Sequence, residues 1–234
     1  MDIVYFLKRR TEFVRFFYLE AAKPFRDIQS QIENGDSPFD DPPYSEDPEP
    51  AFLEEWQNAS MGIDMVGQSS VSLLSDALKL YFNTLQKRVI GFKFDKVETN
   101  APKLGFVAMY KSALGEILDT DWSDCPAQFD VFEQVVLARN RSQHGSDLVS
   151  QHVLHDPDTL RKHPTPFFAE DWELKSWKES GGKEDSFFAP TIKVTQEKLF
   201  AATFEIEKLA DWIEGRMDKV EEWRRNLLRA ERKI

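Results

Sequence analysis

Polar side chains with catalytic potential cluster at the end of one predicted helix, in the stretch Val135–Asp147, which reads VVLARNRSQHGSD. Arg139, Asn140 and His144 lie within that stretch. A guanidinium binds phosphates and carboxylates through paired, charge-assisted hydrogen bonds. An imidazole exchanges protons near neutral pH. These residue types therefore suit chemistry on an anionic substrate.

The predicted helix, from about Ala127 to His144, has an apolar face that leads into this cluster. On a wheel of about 100° per residue, one arc collects both kinds of side chain. Its apolar members are Phe129, Phe132 and Val136, its polar members are Arg139, Asn140 and Gln143, and His144 lies at its margin. Polar groups on such a face cost free energy unless a partner satisfies them. Two partners stay open for Arg139: a core carboxylate, such as that of Glu133, or a phosphate from outside.

The sequence RNRSQH resembles the R-N-x-x-x-H form of the R-x(4–6)-H motif of HEPN domains, the higher-eukaryote and prokaryote nucleotide-binding family. The context is similar as well, because the motif ends a late helix, a break follows, and an amphipathic helix from Thr195 to Glu214 comes last. The resemblance covers the motif and its helical context, from about residue 100 to the C-terminus. Some toxins of the family carry a nucleotidylated Tyr two residues after the His, where this chain has Ser146, so that regulation is not expected here.

Many members of the family are metal-independent ribonucleases that act as dimers, with two motif helices facing each other across a cleft. The resemblance implies that His144 is the general acid/base at the ribose 2′-hydroxyl. It implies that Arg139 contacts the scissile phosphate, and that Asn140 orients His144 or the phosphate. The expected products carry 2′,3′-cyclic phosphate ends. The other predicted substrate-binding residues are Gln143, Arg141 and Glu133.

The resemblance predicts RNA and a second copy of the chain as partners, with an antitoxin or another protein as a further one, and no cofactor. Two alternatives stay open beside a toxin or defence ribonuclease. One is a non-catalytic HEPN-like module that binds RNA, a nucleotide or a protein. The other is a plain oligomerisation domain, in which Arg139 pairs with an internal acid such as Glu133.

Composition limits the remaining choices. The chain has 234 residues and a net charge of −11, which argues against a general nucleic-acid coat protein. Nine of the acidic residues lie between Glu33 and Glu55, so the rest of the chain carries only −11 − (−9) = −2. The single cysteine, Cys125, excludes an internal disulfide framework. No apolar run reaches the roughly 20 residues of a membrane span, so a cytoplasmic protein without a membrane partner is expected.

The elements that carry the motif are predicted to form one domain over residues 1–234, an all-α antiparallel bundle of four to five helices with long loop insertions. The predicted helices are Asp2 to about Glu33, kinked or split at Pro24, then Ala51 to about Val89, Leu104–Leu118, Ala127–His144 with Pro126 near its first position, and a last helix capped by Thr195. The basic tail from Arg216 is expected to continue as helix. An acidic, proline-rich loop at 34–50 and a long insertion at 145–194 interrupt the pattern.

All four histidines lie between His144 and His163, and the stretch HVLH has the i,i+3 spacing of a metal pair. No acidic or cysteine side chain stands at a typical spacing for further ligands, so capping or surface histidines are favoured and no metal is expected. Trp172 and Trp177 could stack on bases. The favoured interpretation is that they anchor the insertion.

Overall fold

The computed structural model describes residues 2–44, 48–94, 105–143, 152–182 and 189–231. Within these ranges the chain forms eight α-helices and one π-helix, which confirms the predicted all-α class. In the same ranges, the pairing between extended segments is limited to one antiparallel bridge, between Leu154 and Thr191. The helices are α1 (Ile3–Asn34), α2 (Leu53–Thr84), the π-helix (Leu85–Ile90), α3 (Phe106–Ile117), α4 (Phe129–Gln143), α5 (Pro157–Lys162), α6 (Asp171–Glu179), α7 (Gln196–Glu214) and α8 (Met217–Glu231).

Helix α1 runs without interruption through Pro24, so the expected split does not occur. Proline removes one backbone donor and strains one turn. Pro24 and Glu20, whose carbonyl loses that donor, both lie on the exposed side of the helix, where water can replace the missing hydrogen bond. The buried side of α1 includes Leu7, Thr11, Val14, Tyr18 and Ala22. Buried residues recur at every third or fourth position, so one continuous face packs on both sides of the proline and keeps the helix intact.

A π-helix extends α2 and ends at Gly91, whose φ of 78° is left-handed. Glycine adopts this conformation without the clash that a Cβ would cause. The Gly91 N–H donates to the Gln86 carbonyl at 2.8 Å. The Arg224 guanidinium, from α8, donates to the Ile90 carbonyl at 2.8 Å and also to that of Val89. The last carbonyls of the π-helix are therefore satisfied by a side chain.

The chain divides into two compact units. The first unit comprises Met1–Glu12, Leu74–Val136 and Phe200–Ile234, and the second comprises Phe13–Leu73 and Leu137–Leu199. The expectation of a single domain over residues 1–234 stays a prediction.

Aromatic rings form much of the core of the first unit. The Tyr110 ring stacks on Phe82 with centroids 4.7 Å apart, and both side chains are fully buried. A second group of rings surrounds Trp122, which meets Phe129 at 4.7 Å and Trp212 at 5.0 Å. Rings of this size bury large apolar areas, so these two groups hold α2, α3, α4 and α7 together within the unit.

Close backbone packing marks the second unit. A Cβ built on Gly62 would lie 2.5 Å from the Phe25 ring, and one on Gly67 would lie 2.8 Å from the Val194 carbonyl oxygen. Both glycines therefore permit a close approach that a larger side chain would prevent. The insertion also contains short helices, α5 and α6, which its weak periodicity did not predict. Asp156 begins α5, where its carboxylate accepts the Thr159 N–H at 2.9 Å.

Candidate active site at the end of helix α4

Helix α4 begins at Phe129, later than expected, so Pro126 does not occupy its first position. The Gln128 N–H donates to the Glu205 carboxylate at 2.9 Å. A carboxylate at this place satisfies a backbone donor that the helix itself leaves without a partner, and it interacts favourably with the positive end of the helix dipole. A residue of α7, distant in sequence, therefore takes part in setting where α4 starts.

The buried face of α4 is rotated from the predicted arc. Phe132 is fully buried and Val136 is also buried, as expected, but Phe129 is only half-buried. The other deeply buried side chains are those of Val131, Val135 and Ala138, together with Gln134. Gln134 enters this face with its amide nitrogen 2.6 Å from the Asp130 carboxylate, to which it donates. On a wheel of about 100° per residue, Arg139 falls within the observed arc, whereas Asn140 falls outside it.

Arg139 occupies the expected transition between the apolar face and the helix end. Its side chain is half-buried, and its Nε is fully shielded from solvent without a hydrogen-bond partner in the described part of the chain. One terminal nitrogen, Nη1, donates to the Asn140 side-chain oxygen at 3.4 Å, which is a long hydrogen bond. No carboxylate of the described residues forms an ion pair with this guanidinium, which therefore retains donors for an anion.

The structure brings together the side chains of Arg139 and Asn140, two of the predicted catalytic residues. The predicted substrate-binding residues do not join them in one cluster. Asn140 and Gln143 are exposed on the last turns of α4, and Glu133 is half-buried nearer its start. Arg141 turns toward the insertion, where its Nε donates to the Leu154 carbonyl at 2.9 Å. Arg141 therefore makes a structural contact, which its position in the motif did not suggest.

His144 lies outside the described residues, as do Gly145 and Ser146. Helix α4 is described up to Gln143, so the predicted acid/base is the next residue of the chain. Its role stays a prediction from the resemblance.

Arg141 connects the last turn of α4 to the folded part of the insertion. Leu154, which accepts its hydrogen bond, also forms the backbone bridge with Thr191. The Asp156 carboxyl interacts electrostatically with the Arg141 guanidinium. Burial by itself would raise the pKa of Asp156, but hydrogen bonds from Thr159 and the positive charge of Arg141 lower it. The Asp156 carboxylate therefore lies within electrostatic range of the Arg141 guanidinium.

The two described histidines of the HVLH stretch point to different partners. His155 is buried with its Nε2 3.0 Å from the Phe168 carbonyl oxygen, and its burial lowers the pKa of the imidazole. His152 is exposed, and its Nδ1 lies 3.9 Å from the Asp64 carboxylate, which is bound more closely by Lys193 at 2.7 Å. Within the described ranges, no group of three or more His, Cys, Asp or Glu side chains could hold a metal ion.

The two tryptophans of the insertion differ in the same way. Trp177 is buried, as an anchor of the loop would be, whereas Trp172 is 64% exposed. The Trp172 indole N–H donates to the Glu170 carboxylate. Only Trp177 therefore has the placement that the favoured interpretation requires.

Fold and site together define an all-α protein with an arginine held at the polar end of a core helix. None of the helices in the described ranges is long and apolar enough to cross a membrane. Comparison with family models finds no match for this chain, and neither does comparison with curated proteins or with solved structures.

Proposed function

We propose that the chain is a HEPN-type endoribonuclease that cleaves RNA without a metal ion, with Arg139 and His144 as its catalytic residues. One observation carries the proposal. Arg139 lies half-buried at the end of a core helix, its Nε has no partner among the described residues, and no carboxylate there neutralises it. A guanidinium held in this way is stabilised when a phosphate oxygen accepts its hydrogen bonds.

The chemistry assigns one task to each side chain. A base, the His144 imidazole, accepts the proton of the ribose 2′-hydroxyl while that oxygen bonds to the adjacent phosphorus. The bond from phosphorus to the 5′-oxygen breaks, the protonated imidazole donates its proton to that oxygen, and a 2′,3′-cyclic phosphate remains. Arg139 stabilises the negative charge that develops on the phosphate oxygens. Asn140, whose amide oxygen accepts a hydrogen bond from Arg139 at 3.4 Å, orients the guanidinium.

Cleavage of a labelled single-stranded RNA in the presence of EDTA tests the proposal. Wild type should release products with cyclic phosphate ends, and Arg139→Ala and His144→Ala should each lower the rate by at least about 100-fold. Arg139→Lys keeps the charge but loses the planar fork, so it should restore only part of the activity. Arg161→Ala and His152→Ala, which alter exposed residues of the same types in the insertion, should retain the wild-type rate.

We propose further that two copies form the active cleft in the cytoplasm, and that an antitoxin or another protein controls it. Mixed dimers of Arg139→Ala and His144→Ala would contain one intact copy of each side chain, which tests whether the sites are shared. RNA binding without cleavage would contradict the enzyme and support the non-catalytic module. If wild type and His144→Ala cleaved RNA at the same rate, the cleavage would come from a contaminant.

A further inference from the structure

A groove of about 240 Å³ lies in the first unit, between the start of α1 and the segment where α2 continues into the π-helix. Its floor is apolar and includes Leu7 and Tyr81, both buried. Phe6 and Leu80 form part of its wall and are 58% and 47% exposed. Large side chains of this kind that remain open to solvent together mark a binding surface more often than single exposed residues do.

Two arginines give this groove a positive charge. Arg10 and Arg88 both line it, both are exposed, and neither forms a hydrogen bond or an ion pair with any described residue. Their sequence neighbour Arg9, in contrast, pairs with Glu12 at 2.6 Å. No aspartate or glutamate lines the groove, and of the two carboxylates that act on Tyr81 at its floor, Asp211 is paired with Lys8 at 2.7 Å, and the other is Glu214. In a chain with a net charge of −11, this concentration of positive charge is a local exception.

A second surface of the same unit shows the contrast. The cleft between the end of α3 and the start of α8 is lined by four aspartates and two basic side chains, so its lining carries more negative than positive charge. The aspartates are Asp119, Asp121, Asp124 and Asp218, and the basic residues are Arg216, which pairs with Asp124, and Lys219. An anion would be repelled at that cleft and attracted at the groove.

Phe6 lines the groove together with the two arginines and adds an exposed aromatic ring. The Phe6 ring meets the Tyr5 ring edge to face, with centroids 5.5 Å apart, and both side chains are more than half exposed. Exposed rings next to cations are the arrangement by which proteins bind single-stranded nucleic acids. The bases stack on the rings and the backbone follows the positive charge.

We infer that this groove binds a single-stranded segment of the RNA, with phosphates on Arg10 and Arg88 and one base stacked on Phe6. The inference rests on the proposed function for the identity of the polymer and adds a second contact to it, outside the Arg139 motif. An acidic peptide would satisfy the arginines but supplies no planar group for the exposed ring. Duplex RNA keeps its bases stacked inside, so it would use only the charges.

Fluorescence anisotropy of a short labelled oligouridine, titrated at several salt concentrations, tests the inference. The full chain carries His144→Ala so that the RNA stays intact. Each phosphate contact on a single strand contributes about 0.7 to the slope of log affinity against log salt. The double variant Arg10→Ala/Arg88→Ala should therefore make that slope shallower by about 1.4. Phe6→Ala should weaken binding about tenfold without changing the slope.

The control is Arg9→Ala/Lys87→Ala, which removes the same charge from the immediate sequence neighbours that do not line the groove. It should alter the slope by less than half as much as the double variant in the groove. Phe6→Trp keeps a stacking ring and should retain the affinity that Phe6→Ala loses. Thermal unfolding followed by circular dichroism should give the same midpoint for Phe6→Ala and Phe6→Trp, because the side chain is exposed.

Three results would overturn the inference: equal slopes for the two double variants, equal affinities for Phe6→Ala and its parent, or no binding of oligouridine by the parent. Displacement of the RNA by polyglutamate at matched charge would instead identify an acidic protein as the occupant, which also overturns it. Failure of the ribonuclease remains distinguishable. In that case the chain with His144 intact does not cleave RNA, yet the slope and the stacking effect at the groove persist.

Discussion

The ring cluster around Tyr110 and the folded part of the insertion, residues 152–182 and 189–194, are held together by different forces. In the ring cluster, Phe82 and Phe106 lie within 6 Å of Tyr110, measured between ring centroids, at 4.7 Å and 5.0 Å. The insertion also buries apolar residues such as Phe168, but it contains in addition many contacts between charged or polar groups. These contacts include Arg141 with the Leu154 carbonyl, Glu173 with Thr191, Lys193 with Asp64, and His155 with the Phe168 carbonyl.

Because these forces differ, the two regions should respond differently to mutation and to pH. Apolar burial does not depend on pH, and it contributes roughly 25 cal/mol for each Å² removed from water. A buried polar contact contributes little net free energy when it is complete but costs much more when one partner is lost. We therefore expect the ring cluster to unfold with the whole unit. The insertion should open locally when one of its polar partners is removed.

The largest effect is expected from Phe82→Ala in the ring cluster. Phe82 is fully buried, and its removal leaves a cavity beside Tyr110, so the free energy of unfolding should fall by about 3–5 kcal/mol. Urea denaturation measures this change. Phe204→Ala, at a position that is 49% exposed, serves as the control and should cost less than about 1 kcal/mol. Similar losses for both variants would mean that the ring cluster is not the stabilising core.

A smaller effect is expected from Asp64→Asn in the second unit. The Asp64 carboxylate accepts from Lys193 at 2.7 Å, and the side chains are only 14% and 27% exposed. Leaving the ammonium without its counter-ion should cost about 1–3 kcal/mol. Hydrogen exchange should therefore speed up in residues 152–182 and 189–194, with the ring cluster unchanged. Asp158→Asn breaks an exposed pair with Arg161 and should change exchange very little.

Tyr110→Phe removes a polar contact from the ring cluster and keeps its rings, so it separates the two contributions to stability within that region. The Tyr110 hydroxyl lies 2.7 Å from the Gln86 side-chain oxygen, to which it donates, and burial raises its pKa to about 12. The ring stack stays complete, so the free energy of unfolding should fall by only about 1 kcal/mol. Chemical denaturation of the variant beside Phe82→Ala checks this ratio. A loss as large as that of Phe82→Ala would show that the hydroxyl, and not the rings, stabilises the cluster.

The smallest effect is expected from pH, and it should appear in the insertion alone. Burial lowers the pKa of His155 below its ordinary value of 6.5. The Phe168 carbonyl and Asp156 act in the opposite direction, while the nearby His163 and Lys198 lower the pKa further. The unfolded imidazole therefore binds its proton at a higher pH than the folded one. Stability of the insertion should be lost as the pH falls through about 6.5 toward the lower folded value.

Hydrogen exchange between pH 7.5 and pH 5, corrected for the intrinsic rates, measures this loss. His155→Gln should remove most of the dependence, since an amide can still donate to the Phe168 carbonyl without titrating. Stability that rises on acidification would contradict the assignment.

The helices were largely predictable because their apolar periodicity is local. The hydroxyl of Thr195 accepts the Lys198 N–H at 3.3 Å, which confirms the predicted cap of α7. Helix α8 also follows the expectation for the basic tail. The start of α4 was not predictable, because Glu205, which binds the Gln128 N–H, lies far away in sequence. The extension of α2 by a π-helix has no compositional signal that a periodicity of 3.6 residues could reveal.

The candidate site was predictable only in part, for the same reason. The motif places Arg139 at the polar end of the apolar face, and the structure agrees. Nothing in the motif separates Arg139 from Arg141, which binds the Leu154 carbonyl across the insertion. The arginine pair of the groove also escaped the sequence analysis. Arg10 and Arg88 line the same groove only because the start of α1 lies beside the π-helix that extends α2.

The π-helix from Leu85 to Ile90 has a consequence for length variation in this chain. A π-turn is an α-turn with one residue added. Deletion of one residue there would let α2 continue in α-helical form with the later residues still in phase, because the π-turn already accommodates one residue more than an α-turn. A deletion in the α-helical part of α2 would instead rotate the later residues of the helix by about 100°. Arg88 would then leave the face that it shares with Arg10, and the carbonyls bound by Arg224 would shift away from α8. Loss of one residue should therefore be tolerated within Leu85–Ile90 and should disable the groove when it falls in the preceding turns of α2.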